Sequence, residues 1–414
     1  MKKSLNYVNF DLAYNLGLKL CEEIKRKDSE NIATLDSLGR VLSKDIVCIK
    51  NLPSFNNSAM DGYAIRVEDL KKSLKIEDTI FAGDKREFKE PKSEYCYKIM
   101  TGASVPDFVD LVVPYELCES LENEVKFTKD LKRGSNIRLK GEEHKIGEIL
   151  LKKGDKIDSS LISLLVSQGV KELEVYKKLN IAIISSGNEL KEPWEEASEE
   201  EIYNINSFFI KSFLEENYFS SSYLGVVPDN LEKSIEFIKK LENYDVIITS
   251  GGVSMGDADF LAKAFLDCGL EVTFHGVNLK PGRAMMLGKL KNSLVLALPG
   301  NPLANAINSH IFLLPLLKKL QGETKFNHDF IECKNSKDFG VKLDRVEAVL
   351  GFVENGKFQA TKDNKYGSAM ISLLYLSNSI ALTSGKSALI KDSDTIKVLP
   401  FIKKYIENRV DFLN

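Results

Sequence analysis

The spacing of hydrophobic positions changes along the chain, and those changes divide it. From residue 7 to about 25, Leu12, Leu16, Leu18, Cys21 and Ile24 approximate helical spacing, and a second short helix is predicted over 36–42. Residues 46–140 then carry short β-type runs, at 95–100 and 111–113, broken by Pro53, Gly62, Gly83, Gly102 and Pro106. The helical period returns over 159–168, where Leu161, Ile162, Leu164, Leu165 and Val166 precede Gly169, which suits a C-cap. Grouping that helix with the first two predicts a discontinuous helical N-terminal unit, 1–45 and 141–177, interrupted by a β-rich domain, 46–140.

Between 178 and 325 strand and helix patterns alternate, the signature of a mostly parallel sheet covered on both faces. The strands are expected at 181–184, 221–227, 246–248, 271–274 and 294–298, and the amphipathic helices at 207–217, 231–241, 260–268 and 303–320. Residues 326–414 revert to short β runs at 347–353 and 358–361 around Asn355-Gly356, a good hairpin turn, and finish near 395–399. The class is multidomain α/β plus β, with a small barrel-like β domain at the C-terminal end.

Composition narrows the function classes. A chain of 414 residues, 43% hydrophobic, can bury several cores. Its 57 basic and 60 acidic side chains include no extended basic block, so neither nucleic acid nor an anionic membrane is expected as a partner. No apolar run approaches a membrane span and the start lacks an apolar signal core. Six scattered cysteines without a CxxC pair read as reduced thiols in a cytoplasmic protein. Four dispersed histidines argue against a zinc site.

Chemistry collects where strands end, the place where open α/β sheets bind ligands. Val246-Ile247-Ile248 runs into Thr249-Ser250-Gly251-Gly252-Val253-Ser254-Met255-Gly256-Asp257-Ala258-Asp259. Gly251 and Gly252 let backbone N–H groups approach a ligand closely, and Asp257 and Asp259 offer carboxylates; taken alone, a tight βα turn with a helix cap is the plainer reading of the glycines. Ser186-Gly187-Asn188-Glu189 and Pro299-Gly300-Asn301-Pro302 leave two further strands, the second able to present a helix N-terminus to an anion. Lys280-Pro281-Gly282-Arg283 brings two cations around a turn, a phosphate or oxyanion site or else a solvated basic turn. Asp229 reads as a helix N-cap with Glu232 at N3, which would account for both acids without a ligand. In the β-rich domain, Asp61-Gly62 within Ser58–Ala64, with Thr101 and Glu116, supplies acids and a hydroxyl, although Asp-Gly also makes ordinary turns. Carboxylates suit Mg²⁺, while Lys, Arg and backbone N–H suit phosphate, so metal-assisted transfer on a phosphorylated ligand fits this inventory.

Seven ordered segments together resemble the molybdopterin molybdenumtransferase family, the bacterial counterpart of the gephyrin E domain. They are Ser58-Ala59-Met60-Asp61-Gly62-Tyr63-Ala64, Met100-Thr101-Gly102-Ala103, Val113-Pro114-Tyr115-Glu116, Ser186-Gly187-Asn188-Glu189-Leu190, the loop after Ile248, Lys280-Pro281-Gly282 and Leu298-Pro299-Gly300-Asn301-Pro302. The resemblance implies a homodimer whose clefts face a partner's β-rich domain, and insertion of molybdate into the dithiolene of adenylylated molybdopterin with Mg²⁺ and release of AMP. It further implies Asp61, Thr101, Glu189 and Asp259 as catalytic residues, with Glu189 and Asp259 on the metal. Ser186, Asn206, Asp229, Gly251, Gly252, Ser254, Lys280, Arg283, Pro299, Asn301, Pro302 and Ser372 would bind substrate. A molybdopterin adenylyltransferase and recipient molybdoenzymes are the implied hand-off partners. Departures from the family pattern are Asp257 where Glu is common, Arg283 for Lys, Ser104 for Pro, and Asn204 for Asp, which weighs against a metal role at that position. Two alternatives stand beside this reading: a molybdopterin adenylyltransferase, which resembles only the α/β part, and a non-catalytic scaffold of the gephyrin E type.

Overall fold

A computed structural model describes residues 7–24, 28–252 and 260–401. Its central sheet orders six strands as Ser221–Val227, Ile181–Ser186, Val246–Ser250, Ser293–Leu298, Met286–Leu290 and Glu271–His275. The first four are parallel and the last two pairings antiparallel. The three inner parallel strands read as continuous apolar runs because helices cover both faces. Alternate side chains feed two cores: Ile181, Ile183, Val246, Ile248, Leu294 and Leu296 enter one, and Ala182, Ile184, Ile247 and Val295 the other. Helices Leu231–Lys239 and Phe260–Asp267 close the second face. Met286–Leu290 is a strand that the apolar spacing did not announce, since it follows directly on the basic turn.

The expected helix over 303–320 is interrupted. Pro302–Asn308 and Leu314–Gln321 are joined through a π turn at Ser309–Leu313, where Pro315 has no N–H to give the preceding turn. Gly322, at φ +96°, ends the run in the left-handed region.

The first helix, Phe10–Glu23, is capped by Asn9 and packs on this α/β core through Ala13, Leu20 and Cys21, rather than with the helix near 160. A Cβ on Gly17 would stand 2.9 Å from a Leu316 methyl, so the missing side chain lets the two helices close. Ser159–Ser167 instead packs with Leu42, Ile46, Leu151, Leu173 and Val175. Antiparallel pairs Ser29–Ala33 with Glu172–Tyr176, and Ile46–Val47 with Ile149–Leu151, join the segments on either side of the β-rich stretch. The helix expected at 36–42 is absent: a single 3₁₀ turn, Thr34–Asp36, gives way to Gly39 at φ +73°, and Val41 and Leu42 bridge Lys156 and Val175.

The β-rich region forms a six-stranded sheet with Gly62–Ile65 between Leu111–Pro114 and Tyr95–Ile99. At the C-terminal end, Val346–Glu354, Lys357–Ala360, Ile331–Asn335, Thr395–Pro400 and Ser379–Thr383 close on themselves as a five-stranded barrel. Asn355 and Gly356, both at positive φ, make the hairpin turn that the sequence announced. Leu279–Lys280 leaves the α/β unit to pair in parallel with Val346 and Glu347, which seats the barrel beside the basic turn. Among the described residues, no helix is long and apolar enough to cross a membrane.

Candidate functional site

Three strand ends converge as the α/β pattern requires. After Ser186 the chain turns at Gly187, φ +147°, where a Cβ would meet the Glu189 carboxylate at 2.9 Å. The Ser186 hydroxyl donates to Asp229 Oδ1 at 2.9 Å, and the Asn188 amide donates to its Oδ2 at 3.3 Å. Asp229 is therefore a staple between two loops and not the helix cap expected for it. Asn230 caps that helix, accepting from the Lys233 amide at 3.0 Å. Gly251 and Gly252 hold φ of +80° and +66°, and a Cβ on Gly251 would lie 2.9 Å from the Ser186 carbonyl oxygen. Only glycine lets these loops approach so closely. The rest of that loop, 253–259 with Ser254, Asp257 and Asp259, lies outside the described residues.

The converging loops border a cavity of about 640 Å³ lined by Ser186, Glu189, Asn206, Gly251, Gly252 and Pro302, among others. Asn206 donates to the Gly300 carbonyl at 2.7 Å and fixes one rim. The Glu189 carboxylate is exposed and has no side-chain hydrogen bond or ion pair among the described residues.

Asn301 also lines a second cavity, of about 450 Å³, between the α/β unit and the barrel. Lys280, Arg283 and Arg345 border it, with Glu347 the one carboxylate on its wall among the described residues. Lys280 Nζ lies 2.5 Å from Glu347 Oε1. Burial would raise Glu347, but Lys280, the Lys342 amide and Asn364 outweigh it and hold its carboxyl below the ordinary range. Arg283 lies over the Tyr7 ring at 4.3 Å, with its Nε buried and unpartnered among the described residues. Burial, and next the charge of Arg283, lower the pKa of Arg345. Two half-buried guanidiniums line one space with little counter-charge, an arrangement that can take a small anion. The helix after Asn301 contributes less than expected: Pro302 lacks an N–H, and the Leu303 amide is already bonded to the Ser368 carbonyl at 3.0 Å.

Known proteins resemble the chain over most of its length. The chain matches the models "MoeA N-terminal region (domain I and II)" over residues 8–169 and "Probable molybdopterin binding domain" over 182–319. The molybdopterin molybdenumtransferase of Haemophilus influenzae is 32% identical over 381 residues, 90% of this chain and 94% of that protein. The chain belongs to the molybdopterin molybdenumtransferase family. The Bacillus subtilis relative is 30% identical over 92% of each chain. The crystal structure of the molybdopterin biosynthesis moeA protein of Pyrococcus horikoshii OT3 superposes with a TM-score of 0.81 at 26% identity, covering 96% of this chain and 100% of that one. Membership places the chain among the transferases of molybdenum cofactor biosynthesis.

Other residues singled out by the molybdenumtransferase resemblance lie elsewhere. Asp61 accepts from the Thr101 amide at 2.6 Å and the Thr101 hydroxyl at 2.8 Å. Those two bonds, in that order, hold its carboxyl below the ordinary range although it is exposed. Gly62 is no turn residue here: it opens a central strand, and a Cβ on it would strike the Val113 carbonyl oxygen at 2.1 Å. Neither Asp61 nor Thr101 lines either cavity. Ser372 is exposed on the short helix Ser372–Tyr375, outside both linings, whereas Ser368 lines the cationic cavity and Ala369 the other. Asn204 is buried, caps the helix Ile205–Glu216 and donates to the Tyr223 hydroxyl at 2.7 Å. Arg345, Glu347 and Asn364 went unnoticed in the sequence, because nothing in their local spacing distinguishes them from other loop and barrel residues. Among the described residues, no group of three or more His, Cys, Asp or Glu side chains gathers as a metal site.

Proposed function

We propose that the chain inserts molybdate into the dithiolene of adenylylated molybdopterin with release of AMP, as a cytoplasmic homodimer using Mg²⁺. The observation that carries the reading is the pair of cavities sharing Asn301, one rich in glycine backbone and the other in cations. The glycine-lined cavity takes the pterin and its phosphates; Lys280, Arg283 and Arg345 hold the oxyanion. Carboxylates do not ligate molybdate, since like charges repel. Mg²⁺ fits as an ion held by one free carboxylate, Glu189, together with phosphate oxygens, and Asp259 is a further ligand in this reading. Bound there, it would neutralise charge on the phosphates. Ser186 and Asp229 keep Glu189's loop in place.

Asp61 and Thr101 act on a partner's cleft. Leu35, Ile49, Ile146 and Val166 of the N-terminal unit are exposed by 79, 63, 63 and 53%, apolar side chains that a second copy would cover in this reading. Free cysteines fit a reducing compartment. Adenylylated molybdopterin would be received from an adenylyltransferase and the product passed to molybdoenzymes.

The test is AMP release from purified adenylylated molybdopterin with Mg²⁺ and molybdate. Asp61→Ala and Glu189→Ala should each abolish it without changing the fold. Mixed after reversible dissociation, the two inactive variants should recover about a quarter of the wild-type rate, as shared sites of a two-fold dimer require. Full activity of either variant alone would remove the assigned roles, and no recovery on mixing would remove the shared site. Formation of the adenylate from ATP and free molybdopterin would favour an adenylyltransferase instead.

A further inference from the structure

We infer that Asn305 and Asn308 are positioning residues that clamp together the loops bordering the two cavities; this rests on the proposed reaction. The helix Pro302–Asn308 is buried from Leu303 onward, and its other inward residues are Leu303, Ala304, Ala306 and Ile307. Two asparagines with no exposed surface interrupt that apolar set. Spaced by three, they lie on neighbouring positions of one helix face. Asn305 Nδ2 donates to the Pro299 carbonyl at 3.1 Å and to Ser250 Oγ at 3.4 Å. Asn308 Nδ2 donates to the Gly282 carbonyl at 3.1 Å. One amide thus holds the Asn301 loop to the end of the Val246–Ser250 strand, and the other holds the basic turn.

This arrangement is a poor choice for stability alone. The Oδ1 atoms of both asparagines are buried and unpartnered among the described residues, and asparagine is a weak helix former. An apolar side chain would remove the two orphaned oxygens but also the amides that bind the Pro299 and Gly282 carbonyls, so the asparagines serve the loops rather than the core, and a local rule broken beside a site points to a role in the site. The loop is shaped to match: Gly282 stands at φ +105°, and a Cβ there would lie 2.2 Å from Asn308 Nδ2. A side chain on Gly282 would therefore collide with the Asn308 amide where it now stands. Because Gly282 lies between Lys280 and Arg283, the amide that holds it also sets where those cations stand around the anion.

The experiment compares wild type with Asn308→Leu and Asn305→Leu, with the Ala variants standing in if Leu overpacks. Urea midpoints are read beside kcat and the separate KM values for molybdate and adenylylated molybdopterin. Asn308→Leu should raise KM for molybdate about tenfold with kcat within about threefold, leaving KM for adenylylated molybdopterin unchanged; Asn305→Leu should raise both KM values. A merely structural role would lower the midpoint and active fraction while leaving both KM values at wild type, and that result would overturn the clamp. Calorimetric titration with tungstate keeps the clamp testable if wild type shows no molybdate insertion. Weaker binding to Asn308→Leu than to wild type would uphold it, and equal binding would overturn it.

Discussion

Replacing Glu347 by Gln should cost about 2 kcal/mol of stability at neutral pH, and the cost should vanish in acid. Glu347 is 1% exposed, and its carboxylate accepts from Lys280 Nζ at 2.5 Å, the Lys342 amide at 2.9 Å and Asn364 Nδ2 at 3.0 Å. Gln keeps the shape, removes the charge and turns one acceptor into a donor facing other donors. Breaking a fully buried pair costs about 3–5 kcal/mol, but the Lys280 side chain is 37% exposed and water restores part of its solvation, which brings the figure to about 2 kcal/mol. The sign with pH follows from the lowered carboxyl. Stabilisation is complete above the unfolded-state value, about 4.3, and is lost as pH falls through the lower folded value. Urea unfolding followed by far-UV circular dichroism between pH 8 and 3 should show a constant gap between wild type and Glu347→Gln down to about pH 5, then a closing one. Lys280→Met completes a double-mutant cycle and should show coupling above about 1 kcal/mol. Equal midpoints at pH 7, or a gap that widens in acid, would refute the account of Glu347 as the anchor of Lys280.

Arg345→Met should raise KM for molybdate by about ten- to a hundredfold, the worth of one charge-assisted contact, without lowering the urea midpoint, because burial and the nearby Arg283 already oppose that charge. An unchanged KM in steady-state assays would remove Arg345 from the anion site. Gly282→Ala combines a φ of +105° with the close Asn308 amide, so a loss of about 2 kcal/mol or more is expected in thermal melts. Burial pushes His310, which packs against Phe213 and Phe401, down to about 3. Below an unfolded value of about 6.5 the unfolded chain takes a proton that the folded chain refuses, so this residue removes about 2 kcal/mol between pH 6.5 and 5. His310→Phe should flatten that part of the stability profile measured by urea unfolding, and an unaltered slope would reject the assignment.

How much was legible beforehand varies with the range of the forces involved. The alternation of apolar runs between 181 and 298 forecast the α/β sheet, since a strand buried on both faces must be apolar throughout. Asn355-Gly356 forecast its hairpin, because few residues accept positive φ. Local rules misjudged Asp229, whose partners Ser186 and Asn188 lie about forty residues away in sequence and outcompete the cap. They misjudged 36–42 for a similar reason: Gly39 turns the chain under the Tyr218 ring, which would lie 2.4 Å from a Cβ.

The sequence by itself determined most strands of the α/β sheet, most of the helices, the glycine turns that follow those strands and, through seven ordered segments, the family. These depend on the period of apolar positions and on backbone freedom, both written within a few residues. Only the tertiary structure decided that Lys280 is tied to a barrel carboxylate, that Arg345 joins Arg283 at the cationic cavity, and that the Asp61–Thr101 pair lines neither cavity. Those outcomes depend on charges and hydrogen bonds between segments tens of residues apart, whose distances are fixed only when the cores pack.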